Sequence, residues 1–296
     1  MKIAFGMIVF EGDYVLKECL ESIYPYATQI LIAEGPVTFW QEQGRTTSLD
    51  KTNEILDTFP DPEGKIRIVH GQYSEKDEQC NAYMDGLRDD IDYVWQVDSD
   101  EVYKKEDIEK IIKLLHDEKP TSIGVKSCSF YGGFDNHIGG FEEATDNFLR
   151  IFKVYPGTKW LTHRPPTVVH DPNIETLPAR HINSDELFEL TGVLMYHYSY
   201  VFPSQVSKKI FYYKSKVSMF KCIDGYYERV YLPWVTGTEQ EREFIENMYN
   251  GVHEFKPQFR THAKTKKFTG THPISIQNNM DGFKKRFEEE MSVYED

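Results

Sequence analysis

Residues 98–101, Asp-Ser-Asp-Glu, place three carboxylates within four positions, directly behind the largely apolar run Tyr93–Val97. Carboxylates this close repel one another unless something positive stands among them. That something is a divalent ion, an Arg or Lys side chain, or only water. Asp98 and Asp100 offer the hard oxygen ligands that suit Mg²⁺ or Mn²⁺, an ion that usually keeps positions for water and substrate phosphates. Acidic residues at a helix start, favoured by the helix dipole, are the structural alternative. Composition does not choose between them, because 20 Asp in 296 residues give roughly one Asp-x-Asp pair by chance. A second pair, Asp90-Ile91-Asp92, precedes the same apolar run and reads as a solvated turn. Position separates the two pairs, so the surrounding elements decide.

Those elements alternate. The continuous apolar run at 2–10 reads as a strand buried on both faces, and 29–33, 65–70, 92–97 and 122–130 read as further strands. Between them, Leu16, Cys19, Leu20 and Ile23 recur at helical spacing, as do Thr52, Ile55, Leu56 and Phe59, then Cys80, Tyr83, Met84 and Leu87, then Ile108, Ile111, Ile112 and Leu115. Ser74 and Asp77 stand at capping-box spacing before the third of these helices. Alternation of this kind predicts an α/β fold, a Rossmann-type mostly parallel sheet flanked by helices. Ligands then bind beyond the carboxyl ends of the strands. Phe10-Glu11, Glu34-Gly35 and Asp98-Ser99-Asp100 follow three of the strands and are expected along one edge, whereas Asp90 and Asp92 fall at the opposite edge. After about residue 130 the alternation stops. A Gly-rich stretch (131–147), a strand at 148–156 and a Pro-rich irregular stretch follow, then helical patterns from about 200, one opened by Thr238 and Glu241 as a capping box and closed by Gly251.

The totals narrow the function classes. A net charge of −14 and a pI near 5.2 disfavour a nucleic-acid-coating role. Cys19, Cys80, Cys128 and Cys222 form no CxxC pair and read as reduced, buried thiols. No Gly-x-Gly-x-x-Gly follows the first strand, so the dinucleotide fingerprint is missing. No run reaches the length that spans a bilayer, and the N-terminal run reads as a strand and not a signal peptide, so a soluble cytoplasmic protein is expected, with peripheral membrane contact left open.

Taken in order, these segments resemble the family 2 glycosyltransferases of the GT-A fold. "MIVFEGDYVLKECLESI" is similar to the family's opening strand, loop and helix, "ILIAEG" and "TTSLDKTNEIL" to its second strand and Ser-x-Asp-x-Thr segment (Ser48, Asp50, Thr52), "EKDEQCNAYMDGL" to its donor-side helix, and "WQVDSDEVY" to its DxD segment. The resemblance covers about 2–130 well and 131–200 loosely. It implies a catalytic domain over 1–200, with a nucleotide-sugar half at 1–103 and an acceptor half at 104–200, and a mainly helical C-terminal extension over 201–296. It implies a nucleotide-sugar donor, UDP-linked by preference, a saccharide or other hydroxyl acceptor, and Mn²⁺ or Mg²⁺. Phe10, Glu11, Glu34, Lys76, Asn81, Asp98 and Ser99 are expected near the donor, and Asp98, Asp100 and His197 at the metal. The family's later Trp…His-Glu motif finds Trp160-Leu161-Thr162-His163-Arg164 here, with Arg where Glu is expected. His163 and Asp171 are then the candidate catalytic bases, with Glu142, Glu143 and Asp146 as rivals. Tyr131, Phe134 and Trp160 are candidate stacking faces for an acceptor sugar. A nucleotidyltransferase would share the sheet and metal but lacks its usual Gly-rich basic loop after the first strand. A non-catalytic carbohydrate-binding descendant is the remaining class.

Overall fold

A computed structural model describes residues 1–139, 148–216, 221–259 and 263–293. In chain order the strands are β1 (Ile3–Val9), β2 (Gln29–Glu34), β3 (Ile66–His70), β4 (Tyr93–Gln96), β5 (Glu101–Val102), β6 (Ser122–Gly124), β7 (Ser127–Tyr131), β8 (Asn136–Ile138), β9 (Leu149–Lys153), β10 (Lys159–Thr162), β11 (Thr167–Val169), β12 (His181–Ile182), β13 (Met195–Tyr200) and β14 (Thr265–Lys267). The early helices are α1 (Leu16–Ile23), α2 (Thr38–Glu42), α3 (Thr52–Thr58), α4 (Lys76–Met84) and α5 (Lys105–Glu118). The chain divides into two compact units, one of residues 1–126 and 146–194, the other of 127–145 and 195–296. The sequence places a boundary near 200. The structure draws it at 194/195, and 127–145 joins the C-terminal part.

The first unit is built on a seven-stranded sheet of order β12-β6-β9-β4-β1-β2-β3. β1 pairs in parallel with both β2 and β4, β2 pairs in parallel with β3, and β9 runs antiparallel between β4 and β6. β1 throughout and β2 over Ile30, Leu31, Ile32 and Ala33 are apolar, as strands in the middle of a parallel sheet must be, and six of the seven residues of β1 are buried. The helical stripes fall where the spacing puts them: Leu16, Cys19, Leu20 and Ile23 of α1 are fully buried, as are Ile108 and Ile111 of α5. The chain runs outward from β1 to β2 and β3, then returns to lay β4 on the other side of β1. The carboxyl ends of β1 and β4 are therefore the point where strand order reverses, and a parallel sheet opens its ligand crevice there.

Two local expectations are corrected. The single strand expected at 122–130 is two strands, β6 in the first unit and β7 in the second. The capping box at Ser74 and Asp77 does not form. Ser74 donates from both its backbone N–H and its hydroxyl to Glu78, and Asp77 is used elsewhere. Within the Pro-rich stretch, β10 and β11 form an antiparallel hairpin.

The second unit holds β7 between antiparallel β8 and parallel β13, with β14 beyond β8. Helices at Pro203–Lys216, Leu232–Thr236, Glu239–Tyr249, Ile274–Asn278 and Met280–Ser292 make it mainly helical. Its core is aromatic: Tyr131, Tyr200, Tyr226, Tyr231 and Trp234 are at most 1% exposed. The capping box of Thr238 and Glu241 is present, and Asn250 ends that helix in the left-handed conformation just before Gly251. All four cysteines are buried and unpaired. Among the described residues, no helix is long and apolar enough to cross a membrane.

Candidate functional site

The loop after β1 is held by the Ser-x-Asp-x-Thr segment, one side chain per backbone donor. Ser48 Oγ accepts from the Glu11 N–H at 2.9 Å, Thr52 Oγ1 from Gly12 at 2.8 Å and Asp50 Oδ2 from Asp13 at 3.2 Å. Spacing of two along the segment aims alternate side chains at successive N–H groups. The clamp holds Glu11 at φ 49, a left-handed conformation that costs a residue with a side chain energy and needs such support. Gly12 is Gly because a Cβ there would lie 2.6 Å from Ser99 Oγ. The loops after β1 and β4 thus meet at the point where strand order reverses.

The two acids expected near the donor, Glu11 and Glu34, are engaged by the protein. Arg45 Nη1 lies 2.5 Å from both Glu11 carboxylate oxygens, and Ser48 donates to Glu34 Oε1 at 2.6 Å. His70, at the end of β3, places Nδ1 3.0 Å from Glu34 Oε2. Phe10 packs against Trp40 of α2, with ring centroids 6.0 Å apart, and Arg45 lies over that same indole. The segment between Glu34 and Ser48 therefore covers Glu11 and Phe10. Gln79, which no local signal marked, directs its amide at the carbonyls of Val9, Ala33 and Gly35, tying α4 to the ends of β1 and β2.

The positive group among the carboxylates behind β4 is an arginine. Arg150, fully buried on β9, bonds Asp98 Oδ2 through Nη2 at 2.9 Å and Glu101 through both Nη2 and Nε. The antiparallel register explains its arrival: Trp95 pairs with Ile151, so Arg150 matches the next step toward the carboxyl end of β4. Arg164 Nη2 adds a second contact to Asp98 Oδ2 at 3.2 Å. Burial works to raise the Asp98 pKa, but the charges of Arg150 and Arg164 outweigh it and hold the carboxyl well below the usual range. Burial likewise opposes the charge of Arg150, and Glu101 and Asp98 overcome it, so its pKa is raised.

His163 and Asp171 differ sharply in setting. His163 is 4% exposed, its backbone N–H bonds Asp77, and its Nε2 has no partner among the described residues. Burial, then the charges of Lys76 and Arg164, lower its pKa to about 2. An imidazole this weak does not suit the general-base role expected for it, which calls for a pKa near the working pH. Asp171 is exposed, and its Oδ1 accepts from the backbone and side chain of Asn173. Glu142, Glu143 and Asp146 lie outside the described residues.

The stability consequence of His163 has a definite sign. Between about pH 6.5 and pH 2 the unfolded chain takes up a proton here and the folded chain does not, so stability is full above 6.5 and falls as pH drops. The slope is expected to reach about 1.4 kcal/mol per pH unit. Urea titrations of the wild type and His163→Asn from pH 7 to 5 check this: the variant should lose most of the slope, and equal slopes would refute it.

Other expected roles are reassigned by packing. Asn81 bonds the backbone of Trp160 twice, accepting from its N–H at 2.9 Å and donating to its carbonyl at 3.0 Å, so it clamps β10 to α4. Trp160, Tyr131 and Phe134 are 2%, 0% and 4% exposed. Trp160 packs edge-on against Phe152, Tyr131 against Tyr231 and Trp234, and Phe134 stacks on Phe283. Their faces are consumed by core packing, and the expectation that they stack an acceptor sugar does not hold in this structure. His197 lies in the second unit, where its Nδ1 is 3.1 Å from Ser129 Oγ.

Whether Asp98 and Asp100 suit a metal is read from their donors. Among the described residues no group of three or more His, Cys, Asp or Glu side chains could hold an ion. Asp98 Oδ2 carries two guanidinium contacts, and Asp100 is half-buried in the turn before β5. A complete protein cage is thus missing from the described residues, but a two-carboxylate site finished by substrate phosphates fits Mg²⁺ or Mn²⁺ chemistry.

Residues 46–164 match the family model described as glycosyl transferase family 2, from just before the Ser-x-Asp-x-Thr clamp through Asp98–Asp100 to Arg164. The match covers the middle of the α/β unit described above and makes that segment similar to the family 2 glycosyltransferases. No curated protein matches its sequence. Similar solved structures include S. aureus TarS 1-349, at 13% identity over 52% of this chain and 47% of that one, TM-score 0.36. TarS 1-349 in complex with UDP is similar at 10% identity over 84% and 71%, TM-score 0.39. The 4-diphosphocytidyl-2C-methyl-D-erythritol synthase of Anaerococcus prevotii is similar at 12% identity over 51% and 70%, TM-score 0.31. The chain spans about half the length of the first TarS structure it matches.

Proposed function

We propose that the chain transfers a sugar from a nucleoside-diphosphate sugar, UDP-linked by preference, to a hydroxyl of a saccharide or other acceptor, with inversion. The observation that carries this reading is the family-matching segment 46–164, whose Asp98-Ser99-Asp100 turn lies beside the β1 loop where strand order reverses. Breaking the anomeric C–O bond leaves the electron pair on the nucleoside diphosphate, whose charge must be met at that edge. Asp98 and Asp100 would hold a Mn²⁺ or Mg²⁺ ion, which when bound supplies Lewis-acid stabilisation of the leaving diphosphate. The clamp of Ser48, Asp50 and Thr52 fixes the β1 loop against Ser99, so that the donor meets a rigid wall. With His163 held neutral, Asp171 is the residue of the expected pair left to take the acceptor's proton.

A thermal-shift series with UDP, GDP, CDP and dTDP, each with and without Mn²⁺, tests the donor site. UDP is expected to raise the melting temperature most, and 100 Kd of ligand should add about 2.7 kcal/mol. Equal shifts for all four would show that the base is not read, and no shift for any would refute the donor class. A radiolabelled-sugar transfer assay separates the enzyme from a non-catalytic binder.

A further inference from the structure

Arg164 stands where the related motif has Glu, and its contacts assign it to the donor side. Its guanidinium meets Asp98 Oδ2 through Nη2 at 3.2 Å, and among the described residues this is the bond it makes. A guanidinium carries five N–H donors in a planar fork, so most of that fork is uncommitted. The side chain is 48% exposed, whereas Arg150, on the same carboxylate, is fully buried. The two arginines therefore have different tasks: Arg150 neutralises the turn from within, and Arg164 faces outward.

The backbone beneath Arg164 is fixed. Asn81 bonds Trp160 on both sides of its peptide, and Asp77 accepts from the His163 N–H, so β10 and the residues after it hang from the first turns of α4. Lys76 opens that helix, next to Asp77, and its charge acts on both Asp98 and His163. The Arg164 guanidinium thus meets Asp98 beside the turn that carries Asp100, and Lys76 stands at the first residue of the helix from which this hairpin hangs.

We infer that Arg164, with Lys76, binds the donor's diphosphate, taking phosphate oxygens on the open N–H groups while one stays on Asp98. A planar fork tethered by a carboxylate is pre-organised for phosphate oxygens, and charge-assisted bonds of this kind are the strong ones. Substitution of the expected acid by Arg then moves the motif from proton transfer to charge neutralisation. This rests on the reading of the chain as a nucleotide-sugar enzyme.

Calorimetry on the full chain tests it, with UDP, UMP and uridine as probes, each in EDTA and in saturating Mn²⁺. In EDTA the wild type should bind UDP more tightly than uridine. Arg164→Ala should lose about ten- to a hundredfold of UDP affinity, the range for a bond to a charged group, with uridine unchanged, and Arg164→Lys should fall between. Because Arg164 is half-exposed and Arg150 remains on Asp98, the melting temperature should stay close to that of the wild type. UDP affinity unmoved in Arg164→Ala would overturn the inference, as would a wild-type preference for UDP that vanishes in EDTA, which would put the phosphate charge on the metal. If the wild type transfers sugar in either case, the functional reading survives. A wild type that neither binds a nucleoside diphosphate nor transfers sugar would remove the reading and the inference together.

Discussion

Replacing Arg150 by Met is expected to destabilise the first unit by about 3–5 kcal/mol, the usual cost of removing one partner of a buried ion pair. Arg150 and Glu101 are both fully buried, and Asp98 shares the same guanidinium. Met fills comparable volume, so the loss measures charge and not a cavity. It leaves the buried Glu101 carboxylate without its guanidinium partner, while the Asp98 N–H still donates to it at 3.2 Å. Urea denaturation gives the magnitude, and Glu101→Gln in the same background should recover part of it, because the stranded charge is gone. A loss below about 1 kcal/mol would show that the carboxylates find water or another cation. The acid limb should move as well. The Asp98 carboxyl is held well below its ordinary value, so the stability it adds is present above about pH 4 and is lost as pH falls toward the folded value. Without Arg150 that depression shrinks, and the variant should lose less stability between pH 5 and pH 3 than the wild type.

Asp100→Ala is expected to cost on the order of 10³-fold in sugar transfer while leaving the melting temperature nearly unchanged. The carboxylate is half-buried at the rim of the β4 turn and not in the core. Its removal should withdraw a hard oxygen ligand, and metal-centred charge stabilisation is worth several kcal/mol. A Mn²⁺ titration of activity should show a raised half-saturation concentration in this variant. Full turnover in Asp100→Ala, or in wild type with excess EDTA, would mean that no metal is needed and would leave the diphosphate to the cationic side chains.

The alternation of strand and helix was legible because it is local. β1, β2 and β4 each carry a run of buried apolar residues, and α1 and α5 keep their apolar stripes at a spacing that any pairing of strands would preserve. From these the ligand edge followed, because a parallel strand has only one carboxyl end. The separation of Asp98-Ser99-Asp100 from Asp90-Ile91-Asp92 needed nothing more. The break between β6 and β7 was not legible, since both halves are equally apolar and only their partners differ.

The sequence by itself determined that three carboxylates must crowd the end of β4, and that something positive must answer them. It could not name what answers, because Coulomb attraction ignores chain order and Arg150 lies 52 residues away on a strand whose register is set by the whole sheet. The same holds for Arg164, which arrives on a hairpin clamped by Asn81 and Asp77. Residue type also misled where environment rules. His163 has the ordinary pKa of a base in isolation, but desolvation and two neighbouring cations keep it neutral. Trp160, Tyr131 and Phe134 have the faces to stack a sugar, but each ring is worth more as buried apolar area in a core. Chemistry at this edge is thus offered by local sequence, and only the tertiary structure decides which side chains are spent on holding the fold and which stay available to a substrate.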